Sequence, residues 1–150
     1  MFKHTPFLRT AAHLTLAASA LLAGCSTPPT DLDVTLKHPS VGGRFVVDLQ
    51  PPAQGPAIGQ IHRWTVKVAS PEGTPVRQAR ITIDGGMPQH GHGLPTRPRV
   101  TQELAPGTYL LEGMKFSMTG WWDLRLDIEA DGARDKAVFN VVMTDNGLKL

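Results

Sequence analysis

Met87, His90 and His92 lie within six consecutive positions of a run, Ile83-Asp84-Gly85-Gly86-Met87-Pro88-Gln89-His90-Gly91-His92-Gly93-Leu94-Pro95-Thr96-Arg97-Pro98, that is otherwise mostly Gly and Pro. Neutral imidazole suits copper, zinc and nickel, whereas a thioether is soft and favours Cu(I). Two His at i and i+2 point to one side of an extended backbone. Gly91 and Gly93 let the chain fold tightly enough for the rings to converge, and Pro88 and Pro95 stiffen it. Three ligands from one segment would satisfy trigonal Cu(I). Met114 and Met118 add two further soft donors on either side of Phe116, and Met118 is expected at the same rim as His90. His38 and His62 are lesser candidates. Each group has a second reading: the methionines as packing, the histidines as a hydrogen-bonded or solvated loop, and Asp84 as either an orienting partner for an imidazole or a turn acceptor.

The elements that must hold these residues read as strands. A Gly/Pro run of this kind cannot be a helix or a central strand, so positions 83–98 are expected to form a loop, leaving a strand that ends at Gly85-Gly86. Trp64, Val66 and Val68 alternate with polar residues, as do Ala79, Ile81 and Ile83, and Trp122, Leu124, Leu126 and Ile128. Period-two alternation marks strands with one face inward. Arg44 to Leu49 is β-branched and aromatic, Thr108 to Phe116 and Ala137 to Met143 continue the set, and Asp131-Gly132 is a hairpin signal. No segment after the first 24 residues has a helical period. About seven short strands separated by Gly/Pro turns predict an all-β, immunoglobulin-like β-sandwich, with a small barrel as the alternative. Trp64, Tyr109 and Trp122 are expected in its core. Trp121, on the opposite face from Trp122, is expected over the loop or on a contact surface.

The chain of 150 residues opens with a short segment bearing Lys3 and Arg9 and no acid, followed by an apolar run from Ala11 to Ala23. This is the form of a secretory signal and too short for a membrane anchor. Leu22-Ala23-Gly24-Cys25 resembles the bacterial lipoprotein processing box, with cleavage before a Cys that is then acylated. Residues 1–24 are therefore expected to be a lipoprotein signal peptide, and 25–43 a lipidated Cys with a Ser/Thr/Pro-rich tether that ends in an edge strand. The sandwich domain is expected over 44–150. Ser rather than Asp follows Cys25, which in the Gram-negative sorting pattern resembles an outer-membrane destination facing the periplasm. Removing Lys3 and Arg9 from the 15 basic residues leaves 13 against 13 acidic ones. A nearly neutral mature chain without a basic cluster argues against nucleic acid.

The runs IDGGMPQHGHGLPTRPRV and APGTYLLEGMKFSMTGWWDLRLDI, in that order, carry a three-part pattern. Its parts are Met-Pro-x-His-Gly-His-Gly at Met87 to Gly93, Pro-Gly-x-Tyr at Pro106 to Tyr109, and Gly-x-Trp at Gly120 to Trp122. Over about Gly59 to Val142 this is similar to the YtkA-like domain family, and more distantly to FixH-like proteins, of bacterial cell envelopes. The resemblance implies an exported immunoglobulin-like β-sandwich with a loose link to copper handling or oxidase maturation. By position, Met87, His90 and His92 match the Met/His motif, and Met114 and Met118 match the Met positions of the following strand. Leu94 stands where many members have another Met.

Function therefore divides into classes. The leading expectation is a membrane-anchored metal-binding module, for copper binding or delivery, with Met87, His90, His92, Met114 and Met118 as the metal residues. The alternative is an envelope protein-protein interaction module without metal, in which the stiffened loop and Trp121 dock a partner. An enzyme is not expected: there is no nucleophile elbow, no phosphate-cradling loop before a helix and no carboxylate pair beside an aromatic cleft.

Overall fold

In the strand with the cleanest alternation, Trp122, Leu124, Leu126 and Ile128 are all at most 1% exposed, while Asp127 and Glu129 face solvent. The same rule repeats along the chain, and it builds the whole molecule. The computed structural model describes residues 29–149; residues 1–24, expected to be a signal peptide, and Cys25 lie outside the described residues. Ten strands follow in order: β1 (Lys37–Pro39), β2 (Val46–Gln50), β3 (Ile61–Ala69), β4 (Arg80–Met87), β5 (His92–Gly93), β6 (Arg99–Ala105), β7 (Thr108–Lys115), β8 (Gly120–Ala130), β9 (Ala133–Thr144) and β10 (Gly147–Lys149). Among the described residues there is no helix.

All pairings are antiparallel. The strand order is β1-β2-β3-β7-β6-β4-β8-β9-β10, with β5 paired to β4. β6 meets β4 only at Arg99 opposite Thr82. The sheet therefore curls into two leaves, β1-β2-β3-β7-β6 and β4-β8-β9-β10, joined at that one pair. Without the three shortest strands, the leaves read β2-β3-β7-β6 and β4-β8-β9, the ABED and CFG orders of a seven-stranded immunoglobulin sandwich. The expected all-β sandwich is thus present, with β1, β5 and β10 as short additions at its margins.

Between the leaves, Val47, Leu49, Trp64, Val66, Leu111 and Met114 pack against Met87, Trp122, Leu124, Leu126, Phe139 and Val141. Phe116 stands between two indoles, 6.1 Å from Trp64 and 5.4 Å from Trp122 by ring centroids, both edge-on. Edge-to-face stacking of this kind adds about 0.5–1.5 kcal/mol per pair beyond area burial. Tyr109 is buried with its ring, and its hydroxyl donates to the Val76 carbonyl (2.6 Å) and accepts from the Ala79 amide (2.9 Å). It fixes the connection that leads into β4.

The fold begins ahead of Arg44, in the stretch expected to be tether. Leu36 accepts from the Leu49 amide, β1 pairs with β2, and the Val41 amide donates to the Lys136 carbonyl on β9. His38 stacks on Phe139 at 4.3 Å. Residues 33–44 thus form a strap across the open seam between β2 and β9. Asp135 is its staple: one carboxylate accepts from the Ser40 hydroxyl (2.6 Å), the Gly42 amide (2.9 Å), the Arg44 amide (3.1 Å) and the Lys136 amide (2.8 Å). Burial alone would raise its pKa, but these hydrogen bonds outweigh it and hold the group well below the carboxylate range. A core strand edge is covered in this way rather than left as a template for pairing.

Candidate functional site

β4 does not stop at Gly85-Gly86. It runs on to Met87 as a central strand, paired with β8 through Gly86 opposite Asp123. The expectation of a loop from Ile83 onward is corrected here, and the reason is steric. A Cβ on Gly85 would stand 2.3 Å from the Asp123 carbonyl oxygen, and one on Gly86 would stand 2.1 Å from that of His92. The two glycines admit close neighbours on both sides; they do not turn the chain. The turn follows them. The His90 amide donates to the Met87 carbonyl (3.0 Å), Gly91 takes a φ of 64°, and β5 returns with His92 opposite Met87 and Gly93 opposite Gly86. The Leu94 amide closes the hairpin on the Gly85 carbonyl at 3.0 Å.

On this hairpin His90 and His92 are both exposed, with ring centroids 6.1 Å apart and planes at 80°. A metal–nitrogen bond of about 2 Å plus the radius of each ring puts the centroids of two imidazoles on one ion about 5–6 Å apart. At 6.1 Å the two rings stand just beyond that spacing. The methionines divide. Met87 is 1% exposed and Met114 0%, so both thioethers belong to the core. The Met87 methyl lies over Gly120, where a Cβ would come within 2.7 Å of it. Met118 is 38% exposed in the β7–β8 connection, and its carbonyl accepts from the Trp122 indole at 3.2 Å. The structure thus brings the two histidines together at one rim and places Met118 on that rim. Met87 and Met114 it sends inward, because the neighbouring strands leave their volume to be filled by apolar atoms.

The lesser candidates have other partners. His62 Nε2 lies 3.0 Å from the Ala57 amide and 2.9 Å from the Ala57 carbonyl. His38 Nδ1 donates to the Pro39 carbonyl at 2.9 Å. Asp84 accepts from the Gly85 amide and from Arg125 (3.0 Å), and these hydrogen bonds, in that order, lower its pKa. Among the described residues no group of three or more His, Cys, Asp or Glu side chains converges as a metal site.

Asp84 has two neighbours here, Asp123 and Arg125, that no local motif marks. Arg125 binds Asp123 at 2.7 Å and Asp84 at 3.0 Å, and the three line a shallow depression with His92 over a floor of Gly85, Gly86 and Gly93. The alternation of β8 marked Asp123 and Arg125 as outward, but only the pairing with β4 sets them beside the hairpin. Trp121 is half-buried; its indole donates to Asn140 Oδ1 (3.0 Å), and Asn140 Nδ2 donates to the Asp33 carbonyl (2.9 Å).

Among curated proteins no match is found. Two solved structures resemble the chain. A DUF4426 family protein from Pseudomonas aeruginosa PAO1 has 19% identity and a TM-score of 0.47, covering 65% of this chain and 88% of that one. The ZirS C-terminal domain has 13% identity and a TM-score of 0.39, covering 93% and 86%. The YtkA-like family profile matches residues 42–127, from the end of the strap to the middle of β8 and through the whole Met/His hairpin. With more than half of its length matched, this chain belongs to the YtkA-like family.

Proposed function

We propose that the protein is a non-enzymatic envelope module, held to a membrane by a lipid on Cys25, that takes up one copper ion on the His90–His92 pair. The observation that carries this reading is the pair itself: two exposed imidazoles, 6.1 Å apart by ring centroids, on a hairpin tied to a rigid sheet. Sites on such preformed elements hold their ligands with little ordering cost. The donor chemistry fits copper, because imidazole is among its preferred ligands and Met118 offers a soft donor on the same rim. Met87 and Met114, whose thioethers are enclosed, are left out of the site. Two protein nitrogens leave further coordination positions open, which suits an ion that is accepted and passed on rather than sealed in. The lipoprotein box, with Ser26 after the Cys, supports an outer-membrane location facing the periplasm.

Titration of residues 26–150 with Cu(I) and Cu(II) against a competing chelator tests this. One equivalent should bind more tightly than about 10 μM, equivalent to about 7 kcal/mol. Binding should vanish in the His90→Ala, His92→Ala double variant and persist in Met87→Leu. Affinity weaker than that bound, or a double variant that binds like the native chain, would remove the proposal.

A further inference from the structure

Two imidazoles just beyond the spacing of a shared ion are an incomplete ligand set, and the enclosed thioethers of Met87 and Met114 cannot complete it. The backbone of the hairpin carries the next donors. The Leu94 amide donates to the Gly85 carbonyl at 3.0 Å, so in the adjoining pair, Gly86 opposite Gly93, the amides and carbonyls turn away from each other. The pair after that, Met87 with His92, is hydrogen-bonded again, and the His90 amide also donates to Met87. On Gly86 the outward groups meet β8. On Gly93 they face the open side of β5, which pairs with β4 alone among the described residues. Of the amides from His90 to Leu94, those of His90, His92 and Leu94 are thus committed, and those of Gly91 and Gly93 are left.

Gly93 is also the glycine that the fold does not require. Every other glycine among the described residues either takes a left-handed φ or would bring a Cβ to within 3.0 Å of another atom. At Gly93 neither holds: a Cβ would meet nothing nearer than the Gly85 carbonyl oxygen, at 3.8 Å, and the position is exposed. A strand glycine without an internal reason marks a place where a ligand comes close to the main chain. The nearby carboxylates do not compete for that role, since Asp84 and Asp123 are both paired with Arg125 in the depression that Gly93 and His92 help to line.

We infer that the main-chain nitrogen of Gly93 is a third donor, beside the His90 and His92 imidazoles, to a Cu(II) ion. This rests on the copper reading of the pair and adds a ligand that only the oxidised ion takes. Cu(II) stands highest in affinity among the divalent first-row ions and accepts tetragonal nitrogen and oxygen sets. Anchored on an imidazole, it displaces the proton of an adjacent amide, whereas Zn(II) and Cu(I) leave that proton in place. The His92 ring and the Gly93 nitrogen are one peptide step apart and close a chelate ring on the same ion. As the copper–nitrogen bond forms, the N–H bond of Gly93 breaks and its proton passes to solvent, as metal binding to protonated donors demands; nothing is oxidised or reduced. Because that N–H makes no bond within the sheet, taking its proton costs the hairpin nothing.

The test loads the full chain with Cu(II), Cu(I) or Zn(II) and compares it with Gly93→Pro, which removes the amide donor at an edge position where proline breaks no ladder bond. Cu(II) affinity should fall at least about tenfold in Gly93→Pro. Zn(II) and Cu(I) affinities should stay within about twofold, which also reports that the two imidazoles are still in place. Gly93→Ala keeps the N–H and has room for its Cβ, so it should retain the native Cu(II) electron paramagnetic resonance spectrum. The native chain, isotopically labelled at glycine nitrogen alone, gives a reading that no misfolded variant can obscure: one labelled nitrogen should couple strongly to the copper electron spin. Absence of that coupling would overturn the inference, and so would a coupling that survives in labelled Gly93→Pro, because the donor would then be another amide such as that of Gly91. Equal losses of Cu(II), Cu(I) and Zn(II) in Gly93→Pro, with no glycine coupling in the native chain, would likewise overturn it. Copper held by imidazole alone removes only this inference; a chain that binds neither copper ion more tightly than about 10 μM removes the copper reading as well.

Discussion

A methionine and a glycine decide how the Met/His segment is built. Met87 is enclosed, with its methyl over Gly120, so its thioether acts through packing. Met87→Leu should cost less than about 1.5 kcal/mol, because volume is nearly conserved, and leave copper affinity unchanged. Met87→Ala should cost about 2–5 kcal/mol through the cavity it leaves. Urea denaturation of the two variants checks both values. Gly86 has the opposite problem, since any side chain there meets the His92 carbonyl of the returning strand. Gly86→Ala should cost about 1–3 kcal/mol and weaken copper binding by displacing β5, although neither histidine is changed. A Gly86→Ala chain with native stability and native affinity would mean that the hairpin does not position the imidazoles.

At the scale of elements, the strap and its staple dominate. Asp135 is ionised in the fold at a pH where it would be protonated in the unfolded chain, because four groups donate to it. The sign follows from linkage. A carboxyl whose pKa is depressed on folding contributes fully above its unfolded value, about 3.9, and loses that contribution as pH falls toward its folded value. Asp135→Asn should therefore lower stability by about 2–3 kcal/mol at pH 7, the scale of hydrogen bonds to a charged group. The difference from the native chain should shrink below about pH 4, and urea midpoints at pH 7 and pH 3 measure it. A constant difference across that range would show that the strap is held by packing of Leu36 and His38 instead. Surface pairs such as Arg63–Glu112 and Arg134–Glu129, with exposed arginines, add little by comparison.

For the whole molecule, stability must come from one core between two leaves, because the chain has a single Cys and no disulfide can form within it. That core is wide, with three aromatic rings in line at Trp64, Phe116 and Trp122. Ligand uptake should appear as a global effect, since the hairpin is hydrogen-bonded into β4. Copper at a hundredfold excess over its dissociation constant should stabilise the fold by about 2.7 kcal/mol, if only the folded chain binds it. Thermal unfolding of the native chain and the double His variant should separate by that margin with copper and coincide without it. Equal shifts in both proteins would assign the effect to another site.

The sequence by itself determined the strand class, the inward faces of β3 and β8, the burial of Trp64, Tyr109 and Trp122, and the family. All of these rest on local alternation or on motif order, which neighbours along the chain define. It also named the two histidines that share a rim. What only the tertiary structure decided depends on residues far apart in sequence. Gly85-Gly86 reads as a loop because composition reports backbone freedom; it is a strand because β8 and β5 press on both sides. The direction of the Met87 and Met114 thioethers is set by the volume left between the leaves, and no local pattern carries it. The strap has no strong period of its own, and its staple, Asp135, stands 95 residues after Ser40. Contacts of that separation are made by folding alone, which is why the strap became visible only with the fold.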